Sequence, residues 1–436
     1  MAYASNGGNI VAVILEALSE MSLGKDSEVR SIWEGLGRIR SDLNFHFPET
    51  TTPQRFKIQV DKQLLQLTQR KVRDYRPSPN VIHDWSIEGP PPNAVASLAR
   101  HWSTEYDWRA TEKQLNKQKH YATTVPGNSN YSAPIPLHFI HEKSKANDAI
   151  PLLLIHGWTS THIEWSKVIK NLTATGNGAP SFHVVAPDLP GYGFSPAPTQ
   201  DGQGPREVGR AFDSMMKQLG YDKYVVASTD LGWIVGMWMA VDVGESLIGH
   251  YTDFFFLPPT ADDLERYAQG LTTPEENDYI AAINAWTTRH FGYATIQIQK
   301  PQMVSVALSD SPVGLASWMW DLKYGSSDDY EITFDDMITD TMLMWIQEPV
   351  AAIRGYSLFS QAMNFPPTDV PTGASQFGNL DGPWEEISKF PLVPRLWIER
   401  SANLVFFNRH EKGGHFPALS QPGVYVDDIK TFVSKL

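Results

Sequence analysis

The chain has 436 residues, no cysteine and a net charge of −13 at neutral pH, with 36 lysines and arginines against 49 aspartates and glutamates. That length leaves room for about two to three structural units around a large apolar core. The lack of cysteine excludes disulfides, thiolate catalysis and sulfur-ligated zinc, and the acidic balance without a basic block argues against nucleic acid and for a small neutral or organic partner.

In chain order, the first apolar run is Ile10 to Leu15, far short of the ~20 residues that a spanning helix needs. No positive residue precedes it, so a signal peptide is not expected. Residues 10–22 read as an amphipathic helix packed on the body, with a membrane-surface anchor as the alternative. The chain reads as cytoplasmic, with peripheral membrane association left open. The stretch Phe47-Pro48-Glu49-Thr50-Thr51-Thr52-Pro53 is a linker that closes an N-terminal extension over residues 1–50. Asp61 to Arg73 has helical spacing and stops at Arg76-Pro77-Ser78-Pro79. A second helical stretch carrying Val95, Leu98 and Trp102 follows Pro90-Pro91-Pro92. Residues 51–145 are therefore expected to form a helical and meandering brace or lid.

From Ile150 the texture changes to short apolar runs: Pro151–Ile155, His183–Ala186, Tyr224–Ala227 and Phe254–Leu257. Helical patterns between most of them predict an α/β fold with a mostly parallel sheet covered on both faces. Residues 146–258 and 366–436 form the two parts of this core. Between them, residues 259–365 read as a helical cap rich in tryptophan, tyrosine and methionine, with helices expected over 261–289 and 333–363. Asn403 to Phe407 is the last strand and Val424 to Leu436 the last helix.

The most informative run is Tyr224-Val225-Val226-Ala227-Ser228-Thr229-Asp230-Leu231-Gly232-Trp233. Strand-forming residues lead into a turn with small residues two before and two after Asp230, and an apolar helix follows. This is the pattern of a nucleophile elbow with aspartate in the nucleophile's place. A carboxylate is an anion at neutral pH without help from a base, so it can attack an electrophilic carbon directly and form an ester. Strained ethers and alkyl halides suit such a nucleophile.

Three further segments accompany the elbow: Arg55-Phe56-Lys57-Ile58 through Glu105-Tyr106-Asp107-Trp108-Arg109-Ala110-Thr111-Glu112-Lys113-Gln114-Leu115-Asn116; His290-Phe291-Gly292-Tyr293 through Ser309-Asp310-Ser311-Pro312-Val313-Gly314-Leu315; and Gly413-Gly414-His415-Phe416. Together they make the chain, from about residue 50 to its end, resemble the microsomal-type epoxide hydrolases, including fungal members. The resemblance implies an α/β-hydrolase fold with a helical cap and that family's N-terminal domain, a small-molecule epoxide as substrate, and no cofactor or metal. A homodimer is left open.

It also implies roles. Asp230 would be the nucleophile and His415 the base that activates water against the ester. His156-Gly157-Trp158-Thr159 resembles the family's oxyanion loop, with Thr159 in place of a proline; the N–H groups of Trp158 and Leu231 would face the oxyanion. Tyr293 and Tyr356 match two cap tyrosines that would hold the epoxide oxygen. The acid that orients His415 departs from the pattern, because Leu380 occupies the expected position. Asp381 is the first choice and Asp253, on the strand before the cap, the second; Glu385 and Glu386 are further candidates. The function expected is opening of an epoxide to a vicinal diol through an aspartyl ester. An epoxide-opening cyclase of a biosynthetic intermediate and a non-catalytic binding protein are the alternatives. A haloalkane dehalogenase fits less well, since Leu231 stands where tryptophan commonly holds the halide, and a serine esterase is excluded by Asp230.

Overall fold

The computed structural model describes residues 43–436 apart from Asn80, Val81, His83, Asn177 and Asp329; the amphipathic helix expected over residues 10–22 lies outside them. A nine-stranded sheet runs through the molecule in the order β1 (Gln54–Arg55), β2 (His120–Val125), β3 (Ile135–Glu142), β5 (Phe182–Pro187), β4 (Ile150–Ile155), β6 (Tyr224–Ser228), β7 (Leu247–Thr252), β8 (Pro371–Phe377) and β9 (Asn403–His410). Pairing is antiparallel from β1 to β5 and parallel from there to β9. β4 and the first four residues of β6 form apolar runs because both faces are covered, while β7, β8 and β9 carry polar residues as well. Leu153, Ile155, Tyr224 and Val226 pack into one core, and Leu152, Leu154, Val225 and Ala227 into the other.

Before the sheet proper come helices α1 (Lys62–Arg73), α2 (Pro92–Thr104) and α3 (Trp108–Leu115). Asp61 caps α1 with a side-chain bond to Gln63 N–H. The Trp108–Asn116 motif has a structural use. Glu112 Oε2 accepts from Val60 N–H at 2.8 Å, Arg109 donates to Val60 O at 2.9 Å, and Asn116 bonds both ways with Ile58, so α3 pins the extended segment before α1. Between β5 and β7 lie α4 (Pro205–Gln218) and α5 (Asp230–Asp242), the latter apolar around most of its circumference and buried.

Among the described residues seven α-helices and a π-helical turn (Trp286–His290) stand between β7 and β8: α6 (Ala261–Ala268), α7 (Pro274–Ala285), α8 (Gly292–Gln299), α9 (Pro301–Asp310), α10 (Pro312–Ser326), α11 (Phe334–Trp345) and α12 (Val350–Ser360). Helix α13 (Pro422–Val433) closes the chain. Two differences from the sequence expectation matter. The strand expected at Phe254–Leu257 is instead β7, Leu247–Thr252. Its polar residues are accommodated by bonds from Thr252 Oγ1 to Ser228 O and between His250 Nε2 and Ser228 Oγ. Residues 292–326, which carried no expected helix, form α8 to α10; Pro301 and Pro312 begin helices, at a position where the missing N–H costs nothing. Among the described residues no helix is long and apolar enough to cross a membrane.

Candidate active site

The parallel register of β4 and β6 sets Ile155 against Ser228, and Thr229 N–H bonds Ile155 O at 3.1 Å. The segments leaving these two strands are therefore side by side: the His156–Thr159 loop, whose Trp158–Thr159 peptide is cis, and the turn into α5. Asp230 starts α5 with φ of +48°, a left-handed conformation that a non-glycine residue seldom adopts. The turn is tight enough that a Cβ on Gly232 would fall 2.4 Å from Ile155 O, and one on Gly157 2.3 Å from the Asp230 side chain. Small residues at both places are a steric requirement.

Trp158 N–H donates to Asp230 Oδ1 at 2.8 Å, and His415 Nε2 lies 3.5 Å from Asp230 Oδ2. His415 is held by its own N–H to Ser326 O at 2.7 Å and by ring contacts with Phe254 and Phe416. A cavity of about 230 Å³ opens above these groups, lined by Asp230, Leu231, Asp253, Tyr293, Tyr356 and His415 together with aromatic walls such as Phe254 and Phe390. Tyr293 on α8 and Tyr356 on α12 cross at 79° with their hydroxyls 3.5 Å apart. Burial, reinforced by the Asp230 charge, pushes both phenols up; Tyr293 also raises Tyr356, so each remains a proton donor at neutral pH.

The acid is where the structure corrects the sequence. Asp381 does not join the site: its half-exposed carboxylate pairs with Lys412, and its N–H donates to Asp328 Oδ1. The loop after β8 is tied elsewhere, with Asp328 Oδ2 accepting from Gly413 N–H and Asn379 Oδ1 from Asp328 N–H. Glu386 faces His290 at 3.2 Å and Arg289. Leu380, in the expected position, is 44 % exposed. Asp253 is the carboxyl that lines the cavity with Asp230 and His415; it follows the end of β7 rather than beginning a strand. Burial pushes it up to about 7, against the pull of Thr229 and His415 and with a push from Asp230, and neither oxygen has a hydrogen-bond partner within bonding geometry.

Behind the His156–Thr159 loop, His138, His162 and Asp188 bring three potential metal-ligand atoms within 4.8 Å of one another, fully buried. Most of their polar atoms are engaged: His138 Nε2 meets His120 Nδ1 at 2.9 Å, while His162 Nε2 is left without a partner. Asp188 accepts from His162 N–H at 2.9 Å, meets His162 Nδ1 at 2.8 Å and His138 Nδ1 at 2.7 Å, and accepts from Phe194 N–H at 2.9 Å. Although burial pushes the Asp188 carboxyl up, the His162 and His138 imidazoles hold it well below the usual range. This knot fixes the loop carrying Trp158 onto β3 and β5. The sequence reading did not find it; the signal it carries is slight, His138 within the apolar strand β3, with His162 and Asp188 lying in the segments after β4 and β5.

A carboxylate on an elbow, a late-chain histidine beside it, and a backbone donor from the loop after β4 define an α/β-hydrolase. Residues 53–165 match the family model described as epoxide hydrolase N terminus, and residues 150–246 the alpha/beta hydrolase fold. A Stigmatella aurantiaca protein bearing the epoxide hydrolase name is 31% identical over 388 residues, covering 86% of this chain and 83% of its own. Epoxide hydrolase 1 of Sus scrofa is 27% identical over 423 residues, 87% of this chain and 88% of that one. The structure of Aspergillus niger epoxide hydrolase superposes with a TM-score of 0.74 at 26% identity, covering 90% of this chain and 100% of that one. The chain belongs to the microsomal-type epoxide hydrolase family and is an epoxide hydrolase.

Proposed function

We propose that the protein opens an apolar epoxide to a vicinal diol through an ester on Asp230. The observation that carries this reading is one carboxylate meeting a backbone N–H at 2.8 Å on one oxygen and an imidazole at 3.5 Å on the other, beneath two buried phenols. Asp230 attacks an epoxide carbon while Tyr293 and Tyr356 hydrogen-bond the oxygen, which leaves as an alkoxide and takes a proton from a phenol. His415 then draws a proton from water, and the hydroxide adds to the ester carbonyl. Trp158 N–H, already bonded to Asp230 Oδ1, is positioned for the oxyanion, with Leu231 N–H as its partner. Asp253 orients His415 and stabilises the imidazolium, the part first assigned to Asp381. Collapse of the intermediate releases the diol, and the proton on His415 restores the phenol.

The mainly apolar, aromatic cavity wall favours substrates with an apolar body. A single-turnover reaction with styrene oxide in heavy-oxygen water tests the chemistry. The expected result is label on the Asp230 carboxylate, with the first diol carrying enzyme-derived light oxygen. Label placed directly in that first diol would sink the ester route, and a cyclised product without diol would point to intramolecular opening.

A further inference from the structure

The loop after β8 is where the acid for His415 was expected, yet Leu380 is exposed and Asp381 is taken by Lys412. Trp384, Glu386 and Phe390 of the same loop turn to the cap instead. There, between α7 and α8, the chain makes the π-helical turn Trp286–His290, a wide form of turn that is frequent at functional sites. The two ends of this turn interleave with the loop. Trp384 stacks on His290 at 4.2 Å and 16°, His290 lies 6.2 Å and 28° from Trp286, and Trp286 stacks on Phe390 at 4.9 Å and 30°. Trp384 is 3 % exposed and so close to α10 that a Cβ on Gly325 would fall 1.8 Å from its ring. At the edge of the stack Glu386 Oε1 meets His290 Nε2 at 3.2 Å.

Of the four rings, Trp286 and Phe390 line the Asp230 cavity, and His290 and Trp384 stand behind them. Tyr293 follows His290 by three residues. Its ring is boxed by Tyr356 at 5.9 Å, Phe291 at 6.2 Å and Trp286 at 6.3 Å, each close to edge-on. A proton donor has to be held within about half an ångström of its productive place. Both the backbone and the ring of Tyr293 take theirs from a turn that the core grips. The geometry points to His290 and Trp384 as positioning residues, a clasp of cap on core that sets the Tyr293 hydroxyl over Asp230. This inference rests on the part given to Tyr293 in the reaction proposed above.

Rapid-quench measurement of ester formation and ester decay as separate rates, with styrene oxide, tests the clasp. His290→Ala is expected to slow formation about tenfold and to leave decay within about twofold of the wild type. Because His290 acts through Tyr293, His290→Ala combined with Tyr293→Phe should be no slower than Tyr293→Phe alone. His290→Phe, which keeps a ring on Trp384, should recover most of the rate. Trp384→Phe, a milder change on the other side of the stack, should cost about threefold in formation, and it runs the same cycle with Tyr293→Phe if His290→Ala does not fold. Equal slowing of both steps is what a merely structural role gives, and it overturns the proposal, as do additive losses in the double variants. Ester formation at the wild-type rate in His290→Ala and Trp384→Phe, beside a slow Tyr293→Phe, sinks the clasp alone. A Tyr293→Phe variant that forms ester at the wild-type rate sinks the role of the phenol and the clasp with it.

Discussion

Two carboxylates are candidates for the partner of His415, one just after the end of β7 and one in the loop after β8, and they differ in almost every physical respect. Asp253 is buried against the cavity without a cation paired to it, and burial raises it to about 7. Asp381 sits half exposed on a lysine. A carboxylate that must steady an imidazolium gains from a dry setting, where its attraction for the ring is screened little. The pairing with Lys412 satisfies Asp381 and leaves it no part in the site. Under the mechanism proposed above, dehydration beside the site, rather than nearness in sequence to the expected place, selects the charge partner of His415.

The comparison is broken most directly by replacing each acid. Asp253→Asn should slow ester hydrolysis by about 10³- to 10⁴-fold, the loss seen when a histidine's orienting acid is removed, while attack on the epoxide continues. Intact mass after mixing with styrene oxide should show an adduct on Asp230. Asp381→Asn should stay within about twofold of the wild type, as expected of an exposed ion pair. Equal losses in the two variants, or a large loss in Asp381→Asn alone, would reverse the assignment.

The two phenols form the other half of the site. Tyr293→Phe or Tyr356→Phe should each lower the rate of ester formation by about 10- to 10²-fold, and the double variant by more, because a single remaining donor still meets the alkoxide. Rapid-quench measurement of the adduct checks this. A double variant no slower than either single one would mean that only one hydroxyl touches the oxygen.

How far the sequence reached follows from the range of each interaction. Asp230 was legible because the elbow's demand for small neighbours shows within five consecutive residues, although the contact that enforces it, Gly232 against Ile155 O, joins two segments far apart in sequence. His415 was legible from the glycines before it, one of which, Gly414, adopts a φ of +63°. Asp253, the acid proposed here, stood second to Asp381 in the sequence reading, since its placement depends on where β7 ends. Phe254-Phe255-Phe256-Leu257 has the composition of a strand, but His250 and Thr252 find partners on Ser228, and the actual strand stops at Thr252. Likewise β2 and β3 carry buried His120, Thr123 and His138, whose partners lie far away along the chain, among them Gln218 and Asp188. Apolar patterning cannot register bonds made at such distances.

Protonation sharpens the comparison next. Asp253 must be ionised to hold the imidazolium, so ester hydrolysis should rise with pH through an apparent value of about 7 and level off above it. Asp253→Asn should remove that dependence from the residual rate, and Asp381→Asn should retain it. Single-turnover decay of the adduct between pH 5 and 9 distinguishes the two. Because Asp230, His415 and Asp253 interact, the measured midpoint belongs to the group as a whole.

The smallest effect is on stability, and its sign follows from the same carboxyl. Unfolding returns Asp253 from about 7 to its ordinary 3.8, so the unfolded chain releases this proton at lower pH than the folded one does. A raised folded value contributes stability that is fully present below 3.8 and is lost as pH rises through 7. Asp253→Asn removes the ionisable group, and with it the cost of a buried charge. The variant should therefore melt on the order of 2–4 °C above the wild type at pH 8, with the gain shrinking toward pH 4, where the carboxyl is protonated in the folded state. Asp381→Asn should show no such gain at either pH. Thermal melts of the three proteins at the two pH values measure it, and a destabilised Asp253→Asn at pH 8 would mean that this carboxylate is stabilised by contacts stronger than its burial penalty.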